Sequence, residues 1–189
     1  FNGKKVENID LMFSYIRPYI FNIDPEAAHN LAIKSLKYNF LPESLFAVEN
    51  EEILSVNLFG KSIKNPIGLA AGFDKSAEVY NQMFKLGFGF VEVGTVTPKK
   101  QYGNPKPRIF RLEKDFALIN RLGFNNDGSE VVKKRIENNL PKGLLGINIG
   151  PNKGTANMSE DFLKCAETFF SLGDYITINI SSPNTEGLR

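Results

Sequence analysis

The chain has 189 residues, of which 42% are hydrophobic and 23% charged, and its formal net charge is +2. This is an ordinary globular composition with room for one sizeable core, and the small net charge with scattered basic residues argues against a nucleic-acid partner. The single cysteine, Cys165, excludes a disulfide framework, and no apolar run in the sequence is long enough to cross a bilayer.

Two amphipathic helices are predicted ahead of the main fold. The first covers residues 8–21, where Pro18 should bend or shorten it. The second begins at Asp24 as N-cap, with Pro25 at the first helical position. Its apolar face is predicted to comprise Ala28, Leu31, Ala32 and Leu36. Both packing on the main fold and a lipid-facing hairpin that admits an apolar molecule remain open.

After a predicted β-hairpin at residues 54–64, strands and helices alternate. Strands are predicted at 67–71, 90–93, 144–149 and 175–180, the last buried on both faces. Helices are predicted at 76–86, from about 127 through 136, and at 159–172, with Phe170 among the inward residues of the last. Residues 109–112 and 117–120 are expected to pair as an excursion. The alternation implies a parallel α/β sheet, either half of a (β/α)8 barrel or a small open sheet.

Every loop that follows a strand is polar or glycine-rich: AGFDK, GTVTP, GPNK and SSPNTEG. In a βα protein these loops share one face, where ligands bind. Lys75 would point a cation toward that face. Asn148 and Asn179 lie within apolar strands, where a buried amide needs a partner. Together with Asn120, Asn125 and Asn184 they suit a planar ligand with alternating N–H and C=O groups, such as a pyrimidine or an isoalloxazine.

Several common kinds of site find no support in the sequence. His29 is the only histidine and has no metal-ligand spacing around it, so no metal is expected and a Ser-His-Asp triad is excluded. Neither G-x-G-x-x-G nor a Walker motif occurs. Ser182 would act as a base only in a closed, dry site with a hydrogen-bonded neighbour.

The segments NPIGLAAGFDK, GFGFVEVGTVTPKKQYGNPKPRIFRL, INRLGFNN, LLGINIGPNK and INISSPNTEGLR occur in this order along the chain. In sequence and spacing they resemble the quinone-dependent dihydroorotate dehydrogenases. The resemblance implies a (β/α)8 TIM barrel that holds FMN, oxidises dihydroorotate to orotate in pyrimidine biosynthesis and passes electrons to ubiquinone or menaquinone. It also implies an N-terminal helical domain (residues 1–50) for membrane association and quinone access, followed by the first half of the barrel (residues 51–189).

The resemblance assigns roles to individual residues. Ser182 would take the proton from C5 of the substrate while hydride leaves C6 for flavin N5, and Phe124 would pack against the reacting centre. His29 and Arg111 match positions near the quinone tunnel. Expected at the flavin are Ala71, Gly72, Phe73, Asp74, Lys75, Thr95, Asn148 and Asn179. Expected at the substrate are Lys75, Asn120, Arg121, Leu122, Gly123, Phe124, Asn179 and Asn184.

The resemblance implies peripheral attachment to the cytoplasmic face of a bacterial inner membrane or, alternatively, to the mitochondrial inner membrane. Two other functions stay open: another FMN barrel acting on pyrimidines (a soluble dihydroorotate dehydrogenase or a dihydropyrimidine dehydrogenase-like domain) and a non-catalytic half-barrel. Ser182 argues against the first, since those groups use cysteine there. Because the chain stops after its fourth predicted strand, we expect a fragment that is inactive alone.

Overall fold

The computed structural model describes residues 13–40, 52–185 and 188. The predicted start of the first helix, at residues 8–12, and residues 186, 187 and 189 of the last loop lie outside the described residues. The stretch 41–51, where the boundary between the two predicted domains falls, also lies outside them.

Two helices precede the sheets. Residues 13–21 form helix α1, which continues past Pro18. Helix α2 (Pro25–Lys37) begins as predicted, because the Asp24 carboxylate accepts a hydrogen bond from the Ala27 backbone N–H at 2.9 Å.

The two helices bury only part of their apolar surface. In α2, Ile33 and Leu36 are buried, whereas Leu31, predicted on the inward face, is exposed. The stripe of α1 is exposed at Phe13 and Ile16. No helix of the described residues is long and apolar enough to span a membrane.

Two antiparallel hairpins lie outside the central sheet, and both were predicted. In the first, β1 (Val56–Leu58) pairs with β2 (Lys61–Ile63) through a turn at Phe59 and Gly60, whose φ angles of 50° and 78° suit a two-residue type I′ turn. In the second, β5 (Ile109–Leu112) pairs with β6 (Ala117–Asn120).

The central sheet is parallel and four-stranded. It consists of β3 (Gly68–Leu69), β4 (Phe90–Val96), β7 (Leu144–Ile149) and β8 (Tyr175–Ile178), in that spatial order. Helices α3 (Tyr80–Lys85), α4 (Ser129–Asn138) and α5 (Met158–Phe169) alternate with these strands along the chain. This confirms the predicted βα alternation and corresponds to part of a (β/α)8 barrel.

The core lies between the sheet and its helices. Every residue of β7 is buried, because β7 has a strand on each side and α5 packs on it. From α5, Cys165 and Phe169 enter the core, but Phe170 is exposed because α5 ends before it. The prediction that Phe170 points inward was therefore wrong.

The helix predicted at residues 76–86 begins only at Tyr80. The buried Asp74 carboxylate accepts hydrogen bonds from the backbone N–H groups of Glu78 at 2.8 Å and Val79 at 2.7 Å. These bonds hold residues 76–79 in a turn around the carboxylate, where the helix was expected.

Three strand predictions also need correction. Strand β3 has two residues, because after Ala71 the chain turns and the Gly72 N–H donates to the Gly94 carbonyl at 2.8 Å. Strand β4 continues beyond the predicted end at residue 93 to Val96. Strand β8 is not buried on both faces: Ile178 is 61% exposed, because β8 pairs only with β7 among the described residues.

Candidate active site

A cavity of about 640 Å³ opens at the carboxyl ends of the parallel strands. It brings together most of the residues that the sequence singled out, from the loops after β3, β6 and β8, from strands β4 and β7, from the β5–β6 hairpin and from the second N-terminal helix. Those that line it are His29, Ala71, Gly72, Lys75, Thr95, Arg111, Asn120, Leu122, Gly123, Phe124, Asn148, Asn179, Ser182 and Asn184.

Lys75 is held in the cavity wall by the loop that follows β3. Its ammonium donates to the Gly72 carbonyl at 2.5 Å, and the Gly94 N–H donates to the Asp74 carbonyl at 3.0 Å, which fastens the loop to β4. Burial lowers the pKa of Lys75, and the Glu26 carboxylate opposes that shift. Since a lysine has three N–H donors, two remain for a carbonyl or anionic ligand.

Gly72 leaves room beside Lys75. Its φ is +109°, and a Cβ added there would meet no atom within 4 Å, so the backbone at Gly72 faces open space. A glycine at such a place lets a flat ligand approach the main chain closely.

Thr95, Asn148 and Asn179 form a hydrogen-bonded group that we call the amide cluster. The Thr95 hydroxyl donates to Asn148 Oδ1 at 2.6 Å. Asn179 Nδ2 donates to Thr95 Oγ1 at 3.0 Å and to Asn148 Oδ1 at 3.2 Å. The buried Asn148 amide oxygen thus finds the partners it requires within the cluster.

The strand register explains why these amides meet. Asn148 in β7 pairs with Thr177 in β8, so Asn179 lies two positions further along. Because side chains alternate between the faces of a sheet, a displacement of two keeps Asn148 and Asn179 on the same face.

Ser182 lines the same cavity from the loop after β8. Its Oγ accepts a hydrogen bond from the Asn184 N–H at 3.3 Å. The loop is tied to its neighbours because Asn104 Nδ2 donates to the Asn184 carbonyl at 3.0 Å and Asn184 Nδ2 lies 3.5 Å from Asn120 Oδ1.

Phe124 closes part of the cavity between the amide cluster and this loop. Its backbone has a positive φ of 53°, and its ring lies where a Cβ on Gly150 would come within 2.9 Å of Cε2. The Gln101 side chain holds the preceding carbonyl, that of Gly123, at 3.1 Å. A side chain on Gly150 would therefore displace the ring.

His29 and Arg111 line the side of the cavity nearest the N-terminal helices. The His29 ring packs edge-to-face on Phe73 with centroids 5.2 Å apart, and burial followed by the nearby Lys75 charge lowers its pKa. Arg111 donates to the carbonyls of Phe21 at 3.1 Å and Ile23 at 2.8 Å, which ties β5 to the end of α1.

Three predicted site residues do not line the cavity. Phe73 and Asp74 border a neighbouring cavity of about 410 Å³. The burial of Asp74 raises its pKa, while its bonds to backbone N–H groups oppose the shift. The Arg121 guanidinium instead donates to the Pro107 carbonyl, at 3.0 Å from Nη2.

Sequence reasoning missed one polar residue of the cavity. Glu92, on β4, accepts hydrogen bonds from three side chains, and a lone carboxylate in the apolar run FVEV was the signal available. Asn125, which the sequence analysis placed among the amides suited to a planar ligand, also lines the cavity. Its buried Oδ1 has no hydrogen-bond partner among the described residues, so a ligand N–H or a water could satisfy it.

The sequence model of the dihydroorotate dehydrogenase family matches residues 53–189. The chain belongs to the dihydroorotate dehydrogenase family. A curated member from Bartonella henselae, named dihydroorotate dehydrogenase (quinone), is 53% identical over 173 residues, which cover 92% of this chain and 47% of that protein. The protein of the same name from Bradyrhizobium diazoefficiens is 51% identical over 173 residues, with 91% and 47% covered.

Solved structures of the family show the same fold. The crystal structure of the Eimeria tenella dihydroorotate dehydrogenase in complex with ferulenol superposes with a TM-score of 0.80 at 48% identity and covers 87% of this chain and 46% of that one. The ligand-free form of the Eimeria enzyme also gives a TM-score of 0.80. The chain spans about half the length of the curated relatives it matches.

Proposed function

We propose that the protein oxidises dihydroorotate to orotate with FMN as cofactor and a quinone as electron acceptor. The observation that carries this proposal is the convergence of Lys75, the amide cluster and Ser182 on one cavity at the strand ends. Family membership and the names of the relatives support the reaction class.

The residues of the cavity fit a flavin. Gly72 leaves open space along the main chain, Lys75 offers N–H donors, and the amide cluster offers further donors beside them. We infer that Ala71, Gly72, Lys75, Thr95, Asn148 and Asn179 would hold FMN. When bound, FMN would supply the two-electron redox chemistry that no side chain lining this cavity offers.

The remaining polar groups fit a small ring with carbonyl and N–H groups. Lys75, Asn120 and Asn184 can donate to carbonyl or carboxylate oxygens, and the unpartnered Oδ1 of Asn125 can accept from a ring N–H. Such a set of donors and acceptors would hold dihydroorotate in one orientation and so align its C5 with the base.

Ser182 is the proposed base. Its Oγ would take the proton from C5 as the substrate loses hydride at C6. A serine hydroxyl is a weak base in water, so it depends on positioning and on water exclusion. The bond from the Asn184 N–H fixes the Oγ, and the ring of Phe124 would shield the reacting carbon.

We further propose that α1 and α2 attach the protein to a membrane surface and guide quinone toward His29 and Arg111. The support is the exposed apolar surface of these helices, which includes Phe13, Tyr15 and Tyr19. An apolar helix pair of this kind suits the interface of a membrane rather than water. The expected site is the inner membrane, on its cytoplasmic face in a bacterium. Flotation with lipid vesicles tests this, and a protein that stays at the bottom of the gradient would contradict it.

The decisive experiment is anaerobic flavin reduction in the protein at its full natural length. We expect the purified protein to bind FMN and to bleach its absorbance on addition of dihydroorotate. Ser182→Ala should slow this bleaching by a factor of about 10² to 10⁴ with FMN still bound, because a positioned base contributes about that much. The matched control is Ser171→Ala, an exposed serine beyond α5.

Two results would overturn the proposal. One is a protein that binds no FMN. The other is a Ser182→Ala variant whose flavin is reduced as fast as that of the wild type and of Ser171→Ala, because the base must then lie elsewhere.

A further inference from the structure

Glu92 is a carboxylate at the edge of the cavity with three side-chain donors around it. Asn148 Nδ2 donates to it at 2.8 Å, the Thr177 hydroxyl at 2.9 Å and the Tyr175 hydroxyl at 3.0 Å. Burial, and then the Glu92 charge, raise the pKa of Tyr175 well above its ordinary value. The Tyr175 hydroxyl therefore stays protonated and donates its hydrogen bond to Glu92. This carboxylate is thus held firmly in place.

A carboxylate can only accept hydrogen bonds, and this fixes the direction of the bonds that follow. The nitrogen of the Asn148 amide must face Glu92, so its oxygen faces Thr95 and Asn179. The Thr95 hydroxyl donates to that oxygen and accepts from Asn179 Nδ2. The Asn179 oxygen in turn accepts from the Ser181 N–H at 3.3 Å, next to the proposed base.

We propose that Glu92 is a positioning residue that sets the direction of this hydrogen-bond chain, so that the amide cluster presents N–H donors to the acceptor atoms of the ligand. The inference rests on the proposed function, because the ligand it concerns is FMN with its substrate. Glu92 acts through Asn148, and Asn148 acts on Asn179 both directly and through Thr95.

The bonding of the two amides shows which hydrogens remain. Asn148 Nδ2 uses one hydrogen on Glu92. The two acceptors of Asn179 Nδ2, Thr95 Oγ1 and Asn148 Oδ1, are themselves only 2.6 Å apart, so one hydrogen serves both. Each nitrogen keeps a second hydrogen, whereas Asn148 Oδ1 already accepts two hydrogen bonds and Asn179 Oδ1 accepts one. With two free donors and one free acceptor position, the amide cluster favours ligand carbonyl oxygens and unprotonated ring nitrogens over ligand N–H groups.

An amide at position 92 would no longer fix the orientation of the Asn148 amide. Glu92→Gln has nearly the same shape, but its side chain carries both a donor and an acceptor, so either orientation of the Asn148 amide can be satisfied. Glu92→Asp is shorter but accepts only. A role in directing hydrogen bonds predicts that Glu92→Gln is the more damaging change, whereas a role in filling space predicts the reverse.

The first measurement is FMN affinity, made by titrating the flavin-free protein at its full natural length. We expect Glu92→Gln to raise the Kd about tenfold, as for the loss of one charge-assisted hydrogen bond, and Glu92→Asp to raise it less. The control Glu167→Gln, on the exposed face of α5, should leave the Kd unchanged. In an Asn148→Ala background, Glu92→Gln should change the Kd less than about twofold, because the coupled partner is gone.

The second measurement needs no FMN. In side-chain amide NMR spectra of the flavin-free protein, Glu92→Gln should shift the resonances of both Asn148 and Asn179, although Asn179 has no bond to Glu92. The spectra of Asn148→Ala and Asn179→Ala assign the two signals.

The outcomes separate this inference from the proposed function. If the wild type binds no FMN but the Asn179 signal moves, the function proposal fails and the positioning role stands. If the wild type binds FMN, the positioning role fails on any of three results. The first is a Glu92→Gln variant that binds FMN as tightly as the wild type. The second is an Asn179 amide resonance that Glu92→Gln does not shift. The third is an Asn148→Ala background in which Glu92→Gln still raises the Kd for FMN about tenfold.

Discussion

The similar sequences GINIG (146–150) and TINIS (177–181) lie at the ends of strands β7 and β8, and each places an asparagine at the cavity, although β8 ends at Ile178, just before Asn179. Their burial nevertheless differs sharply. In β7, Ile147 and Ile149 are 0% exposed, whereas the matching Ile178 and Ile180 are 61% and 64% exposed. Two nearly identical local patterns therefore occupy different environments at the ends of neighbouring strands.

The difference arises from neighbours rather than from the residues themselves. Strand β7 is flanked by β4 and β8, while β8 pairs on one side only within the described residues. The preference of an isoleucine for a strand reflects the packing that it finds there. Burial is therefore a property of the position in the sheet, and the contribution of each isoleucine to stability should follow it.

The largest expected effect tests that statement directly. In the 189-residue chain, Ile147→Ala should lower the free energy of unfolding by about 2–5 kcal/mol, since it removes buried methyl groups and leaves a cavity. The matched change Ile178→Ala should cost less than about 1 kcal/mol. Urea unfolding followed by circular dichroism measures both. Equal losses would show that the two strands are buried alike in solution.

A smaller effect is expected at the last position of the two sequences, where Gly150 corresponds to Ser181. A Cβ on Gly150 would lie 2.8 Å from Thr95 Cγ2 and 2.9 Å from the Phe124 ring, so Gly150→Ala forces these side chains apart. We expect a loss of about 1–3 kcal/mol in unfolding free energy, as for an overpacked core. Ser181 is exposed, and Ser181→Ala should cost less than about 1 kcal/mol. A Gly150→Ala variant as stable as wild type would mean that the Phe124 ring moves freely.

The same comparison shows what the sequence could predict. The bounds of β7 agree with the prediction at both ends, because a short apolar run between turn residues is a strong local signal. The convergence of Lys75, Asn148, Asn179 and Ser182 on one cavity followed from a topological rule, since parallel strands bring their carboxyl ends to one face.

What the sequence could not predict depends on contacts between distant segments. The late start of α3 results from the Asp74 carboxylate, which binds the N–H groups of residues 78 and 79 more favourably than a helical turn would. The exposure of Ile178 depends on how many strands flank β8. Glu92 was overlooked because its donors lie on β7 and β8, more than fifty residues further along the chain.

The smallest expected effect concerns the helix that covers β7. Cys165 of α5 is fully buried, and burial, followed by the charge of Asp161, raises its pKa from 9.0 to about 12. The folded state therefore disfavours the thiolate, so the contribution of Cys165 to stability is intact below pH 9 and is lost as the pH rises from 9 toward 12. Between pH 8 and pH 10 the wild type should lose about 1 kcal/mol more unfolding free energy than Cys165→Ala, which has no thiol to ionise. Urea unfolding at the two pH values measures the difference. Because Cys165→Ala also leaves a small cavity, only the change in unfolding free energy from pH 8 to pH 10 is compared between the two proteins. An equal change in the two proteins would show that the thiol is solvated in the folded protein, and hence that α5 does not exclude water from its contact with β7.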